Sequence, residues 1–97
     1  MVIKCIFSIP PKSIKDYARQ VMELPLLPEY ITIRGPYTND AVEVGNETIT
    51  LYEFDDSRYA EAWKIIFKQL DAFHGIPGFT FTAELLSKNK KVKKVSN

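Results

Sequence analysis

The 97 residues predict one α+β domain whose elements run strand, helix, strand, strand, helix, strand. Three observations carry that expectation. Apolar residues alternate with a period of two in four short segments, two intervening segments repeat them at three-and-four spacing, and Pro or Gly stands at most junctions. A chain of this length buries a single core, and association with a second copy would add substantially to its stability.

Ile3, Cys5, Phe7 and Ile9 alternate with Lys4, Ile6 and Ser8 as a strand with one fully apolar face. Pro10 and Pro11 stop it. Ile14, Tyr17, Ala18, Val21 and Met22 then share one side of a helix over residues 12–24, with Ser13 and Asp16 resembling a capping box and Pro25 and Pro28 barring continuation. Residues 30–34 form the second strand, Ile31 and Ile33 facing one way and Tyr30, Thr32 and Arg34 the other, until Gly35 and Pro36 interrupt it. The polar stretch from Tyr37 continues it irregularly to a turn at Gly45 and Asn46. Thr48 to Phe54 is the third strand, with Ile49 and Leu51 opposing Thr50, Tyr52 and Phe54.

Asp55, Asp56 and Ser57 put acids and a cap at the positive end of the second helix. Tyr59, Ala62, Trp63, Ile66, Phe67, Leu70 and Phe73 supply about four turns of its apolar stripe. Gly75 is the expected left-handed residue that ends it, and Pro77 prevents resumption. Phe79, Phe81, Ala83 and Leu85 form the apolar side of the last strand.

A composition of 45% hydrophobic and 26% charged residues excludes a chain disordered throughout. No apolar run approaches the roughly 20 residues that span a bilayer, and the first residues read as a strand instead of a signal segment, so a cytoplasmic location without membrane contact is expected. Cys5, the only cysteine, cannot form an internal disulfide or a CxxC site and is expected to be a buried thiol. The net charge of +1 hides an asymmetry. Residues 1–87 hold all twelve acids against eight bases, whereas the tail at residues 88–97 holds five lysines and no acid.

Two amphipathic helices need one sheet face to cover, and the economical arrangement is a ferredoxin-like layer over residues 1–87, with antiparallel strand order 4-1-3-2. Aligned ends then place Phe7 opposite Phe81 and Cys5 opposite Ala83 on the helix side, and Lys4 opposite Glu84 on the other. The uncovered face would carry Lys4, Ile6, Ser8, Tyr30, Thr32, Arg34, Thr50, Tyr52, Phe54, Thr82 and Glu84, a mixture too apolar to stand in water without consequence.

The Tyr52-Glu53-Phe54-Asp55-Asp56 strand end and the Gly75-Ile76-Pro77-Gly78-Phe79 turn, set in this element order, resemble the dimeric α+β barrel superfamily. In that superfamily two ferredoxin-like protomers close their open faces into a barrel. The resemblance covers residues 1–87 and implies a homodimer around a cavity. Because the superfamily spans cofactor-independent monooxygenases, muconolactone isomerase-like enzymes, haem-dependent members and stress-responsive proteins, it does not choose a reaction.

Three residues are candidates for ligand contact. His74, the only histidine, suits proton transfer, and it equally suits pairing with the free carbonyls of a helix end. Arg34 on the open face suits holding an anion or a salt bridge across a dimer, and Tyr52 suits hydrogen bonding to a substrate or packing in an interface. No second histidine or cysteine completes a metal site, no cofactor is expected, and haem could be held only through His74. The third strand lacks the basic-Gly-aromatic pattern of RNA-binding sheets and the body is acidic, which disfavours nucleic acid. The sequence therefore leaves two expectations. One is a homodimer that binds a small organic molecule and performs cofactor-independent chemistry on it, and the other is a non-enzymatic homodimeric interaction or regulatory domain.

Overall fold

In a computed structural model, residues 1–39 and 46–87 are described. They form β1 (Val2–Ile9), α1 (Ile14–Glu23), β2 (Thr32–Asn39), β3 (Asn46–Glu53), α2 (Tyr59–Asp71) and β4 (Thr80–Leu86). The strands make one antiparallel sheet in the order β2-β3-β1-β4, the expected 4-1-3-2 read from the other edge. This is the ferredoxin-like α+β arrangement. Of the anticipated features, the loop before Asn46 and the lysine-rich tail at 88–97 lie outside the described residues.

β1 is the central strand that the rest is built on. Its odd residues Ile3, Cys5, Phe7 and Ile9 are buried beneath the helices, and its even residues are only half covered. The β1–β4 register is the expected one, Phe7 opposite Phe81, Cys5 opposite Ala83 and Lys4 opposite Glu84. On the helix side, Phe7 lies 6.5 Å from the ring of Tyr17 in α1, 6.1 Å from Phe73, 5.7 Å from Phe79 and 6.4 Å from Phe81 in β4. Five rings therefore join α1 and the segment that follows α2 to two strands, in the offset and tilted arrangements that aromatic quadrupoles favour.

The turn after α2 is fixed by contacts that cross the chain. The Ser13 hydroxyl, buried at the start of α1, does not cap that helix but donates to the carbonyl oxygen of Pro77 at 2.6 Å. Gly78, not Gly75, adopts the left-handed conformation, with φ 75°, and a Cβ there would lie 2.5 Å from Pro10 Cγ. The expected role of Gly75 thus passes to Gly78, because the chain must turn sharply where it meets the end of β1. At the start of α2, Asp55 accepts from the Ser57 backbone N–H at 3.0 Å and from the Ser57 hydroxyl, the anticipated acidic cap.

Two parts of the core differ from expectation. α1 turns Tyr17 inward, but Ile14 and Val21 are exposed and Met22 is 87% exposed, so the three-and-four stripe is only partly covered. Register corrects the third strand more consequentially. Pairing sets Tyr52 opposite Ile3, Thr50 opposite Cys5 and Thr48 opposite Phe7, which puts Thr48, Thr50, Tyr52 and Phe54 on the helix side and Ile49 and Leu51 on the open face. Tyr52 and Phe54 carry more apolar surface than Ile49 and Leu51, and burying the larger pair against β1 is the favoured choice of parity. Tyr30 also leaves the open face. It precedes β2 and packs against the core, with the Arg58 guanidinium 3.6 Å above its ring.

Truncating the ring at the centre of this cluster tests this account. Phe7→Ala is expected to destabilise the fold by about 3–5 kcal/mol, the range for emptying a buried aromatic site. Urea unfolding followed by circular dichroism measures it, and a loss under about 1 kcal/mol would mean that the cluster does not organise the core.

Candidate functional site

Among the described residues, the face opposite the helices is covered by no other element of the chain. The registers place Val2, Lys4, Ile6 and Ser8 of β1 along its middle. They are flanked by Ile49, Leu51 and Glu53 of β3, by Thr32, Arg34 and Tyr37 of β2, and by Thr80, Thr82, Glu84 and Leu86 of β4. The centre is apolar because Ile6 stands opposite Ile49. A bulge between Arg34 and Tyr37 keeps both side chains on this face despite two intervening residues. Gly35 allows it with φ 101°, and a Cβ there would lie 2.8 Å from the Ile49 carbonyl oxygen.

One ion pair is made among the described polar groups of this face. Arg34 donates to Glu53 Oε1 at 3.0 Å across the β2–β3 pair. Lys4 and Glu84 are directly opposite as expected, yet they form no ion pair among the described residues. At one end, a depression of about 660 Å³ is lined by Val2, Leu51 and Leu86 with Glu53, Asp55 and Asp56 at its margin. Met1 also lines it, and its ammonium pairs with Asp56 Oδ1 at 2.9 Å. Asp55 is held below the usual carboxylate range chiefly by the Ser57 hydroxyl and then by the Ser57 backbone N–H, so its charge is committed to the turn before α2.

The three residues singled out by the sequence are not brought together. Arg34 lies on the open face, and its salt bridge is made within one chain. Tyr52, next to Leu51 in β3, points the other way and is 6% exposed beneath the helices, so burial raises its phenol well above the ordinary range. His74 is exposed in the turn after α2, beside a cavity of about 290 Å³ lined by Leu70, Asp71, Phe79, Thr80 and Phe81. Thus one candidate faces the open sheet, one is core and one stands at the far end of α2. Among the described residues, no group of three or more His, Cys, Asp or Glu side chains is placed to hold a metal ion.

Sequence reading missed Ile49, Leu51 and Tyr37 as open-face residues. The signal that could have found the first two was the size of Tyr52 and Phe54, which outweighs that of Ile49 and Leu51. For Tyr37 no local signal existed, because the bulge that turns it is decided by pairing with β3. No described helix is long and apolar enough to cross a membrane. Comparison of the chain with family models, with curated proteins and with solved structures finds no match in any of the three.

Cys5 provides a test of the buried side of the sheet. It is fully inaccessible, and burial pushes its thiol up from 9.0 to about 11. Over that window the unfolded chain releases the proton and the folded one retains it, so stability falls as pH rises from about 9 to about 11. The loss attributable to this thiol is at most about 3 kcal/mol. Unfolding of the wild type and Cys5→Ala across that range should show the steeper decline in the wild type, and parallel profiles would contradict it.

Proposed function

We propose that this chain acts as a homodimeric interaction domain whose open sheet face is covered by the same face of a second copy. The observation that carries this is the central apolar strip, Val2, Ile6, Ile49, Leu51 and Leu86, on a sheet whose two helices among the described residues lie on the other side. Corrected register replaces Thr50, Tyr52 and Phe54 on that face with the aliphatic side chains Ile49 and Leu51, which carry no polar atom. Residues of this kind on a contiguous strand surface are the composition of an interface centre. Around them Lys4, Arg34, Glu53 and Glu84 supply both signs of charge, which lets one face meet a rotated copy of itself.

Dispersal of the candidate chemical groups supports the non-enzymatic reading over an enzymatic one. A general base and the groups that position its substrate must lie within hydrogen-bond reach of one reacting molecule. Arg34, Tyr52 and His74 occupy separate environments, and Tyr52 is no longer a ligand-contact candidate once it is core.

The 660 Å³ depression favours a second reading, in which the paired faces enclose a small organic molecule. That volume lies in the ordinary range of ligand pockets. Its Val2, Leu51 and Leu86 lining suits an apolar body, since its acids are already engaged, Glu53 by Arg34, Asp55 by Ser57 and Asp56 by the Met1 ammonium.

Light scattering at micromolar concentration should give a mass of at least two 11.1 kDa chains. Ile49→Lys, which sets a charge at the centre of the face without touching the core, should lower that mass while leaving the circular dichroism spectrum unchanged. An 11.1 kDa wild type would defeat the proposal. Native mass spectrometry of untreated protein separates the two readings, a retained small molecule supporting the second.

A further inference from the structure

The two sheet edges are unlike. β2 is protected by the Arg34–Tyr37 bulge, by Pro36 and by the charge of Arg34, devices that stop an edge from pairing with another chain. β4 has none of these. Its pairing with β1 is unbroken from Thr80 to Leu86, it contains no Pro or Lys, and Glu84 is its single charge. It is also bare for an apolar strand, with Phe81 38%, Leu85 40% and Leu86 43% exposed. An edge that is long, straight and apolar offers its outer backbone groups to another strand.

We propose that β4 is a second docking surface, joining two copies of this chain antiparallel and edge to edge about a two-fold axis through Ala83. The occupant is identified by self-complementarity. An axis perpendicular to the sheet keeps all helices on one side and requires odd residues of β4 to face odd residues of its copy. Centred on Ala83, the pairing sets Phe81 opposite Leu85, Thr82 opposite Glu84 and Thr80 opposite Leu86, each pair occurring twice. The smallest side chain lies on the axis, and both half-exposed large residues of the helix side gain an apolar neighbour. Centring on Glu84 would oppose two carboxylates, which is destabilising, and centring on Thr82 would leave Leu85 and Leu86 unpaired.

The helix above the edge is suited to the same contact. Gln69 Nε2 donates to the Pro25 carbonyl oxygen at 2.8 Å, which turns that side of α2 toward the segment after α1. At 100° per residue, Trp63 and Phe67 then point away from that segment, and their rings pack edge to face at 4.4 Å and remain only half-buried. Pairing through β4 brings the two α2 helices alongside, so these aromatic side chains cover each other. It also sets Leu85 of the second copy against Phe81, at the cavity of about 290 Å³ between β4 and the end of α2.

This contact is made through the strand edge and shares Thr80, Thr82, Glu84 and Leu86 with the open face, and use of both builds a four-chain assembly with perpendicular two-fold axes. The test is the mass and dissociation constant of variants of the 97-residue chain, by light scattering and analytical ultracentrifugation, with circular dichroism as the control on folding. Leu85→Lys should reduce four chains to two, and combination with Ile49→Lys should leave one. Thr82 reports the register, and because it also lies on the open face its variants are read in the Ile49→Lys background. Thr82→Lys meets Glu84 of the second copy at two sites and should tighten the edge contact about twofold to thirtyfold, while Thr82→Glu should weaken it similarly. A wild type of two chains that is split by Leu85→Lys and not by Ile49→Lys supports the edge and overturns the open-face reading. A mass and dissociation constant indifferent to Leu85→Lys and to both Thr82 variants overturns the edge.

Discussion

The contact of Phe7 with its four aromatic neighbours is the constraint on which the architecture rests. Tyr17 reaches it from α1, Phe73 from the end of α2, Phe79 from the following turn and Phe81 from the adjoining strand. These residues are far apart in sequence, so the cluster forms only when both crossovers have laid their helices on the same side of β1. Its tightest pairs, Tyr17 with Phe73 at 5.2 Å and Phe73 with Phe79 at 5.3 Å, tie α1 to the turn that leads into β4. Ser13 bonding to Pro77 and Gly78 closing against Pro10 reinforce that junction from its polar and backbone sides.

Concentrating both helices there has a consequence for the rest of the sheet. One face is filled by side chains of β1, β3 and the helices, and the other receives no element of the chain among the described residues. Hydrophobic burial is non-directional, so an apolar strip of Ile6, Ile49 and Leu51 is stabilised by any apolar cover. A second copy is the cover with matching composition, which is the physical basis of the proposed function. The bare β4 edge differs in kind, since it offers backbone hydrogen bonds in addition to apolar area and thereby specifies register as well as attraction.

Arg34 and Tyr52 show how far sequence reading of a site can go. Arg34 was placed correctly on the open face because Ile31 and Ile33 gave β2 a clear polarity, and its partner Glu53 became visible only when β2 and β3 were paired. Tyr52 was placed on the wrong side because both faces of β3 are partly apolar. In such a strand the period of two is unmistakable but its phase is not, and a one-residue change of phase exchanges core for surface throughout. His74 was located correctly near the end of α2, while its separation from the open face depended on how the following turn folds back.

By itself the sequence determined the element order, the strand order and the β1–β4 register. All three follow from local periodicity, from Pro and Gly at the junctions, and from the need of two helices for one common apolar face. Tertiary structure decided the phase of β3, the bulge that turns Tyr37, the transfer of the left-handed turn from Gly75 to Gly78, and the exposure of β4. Each of these is a competition between nearly equivalent local choices, such as Tyr52 with Phe54 against Ile49 with Leu51. It is settled by how much each choice buries against residues distant in the chain, a quantity that no local pattern contains.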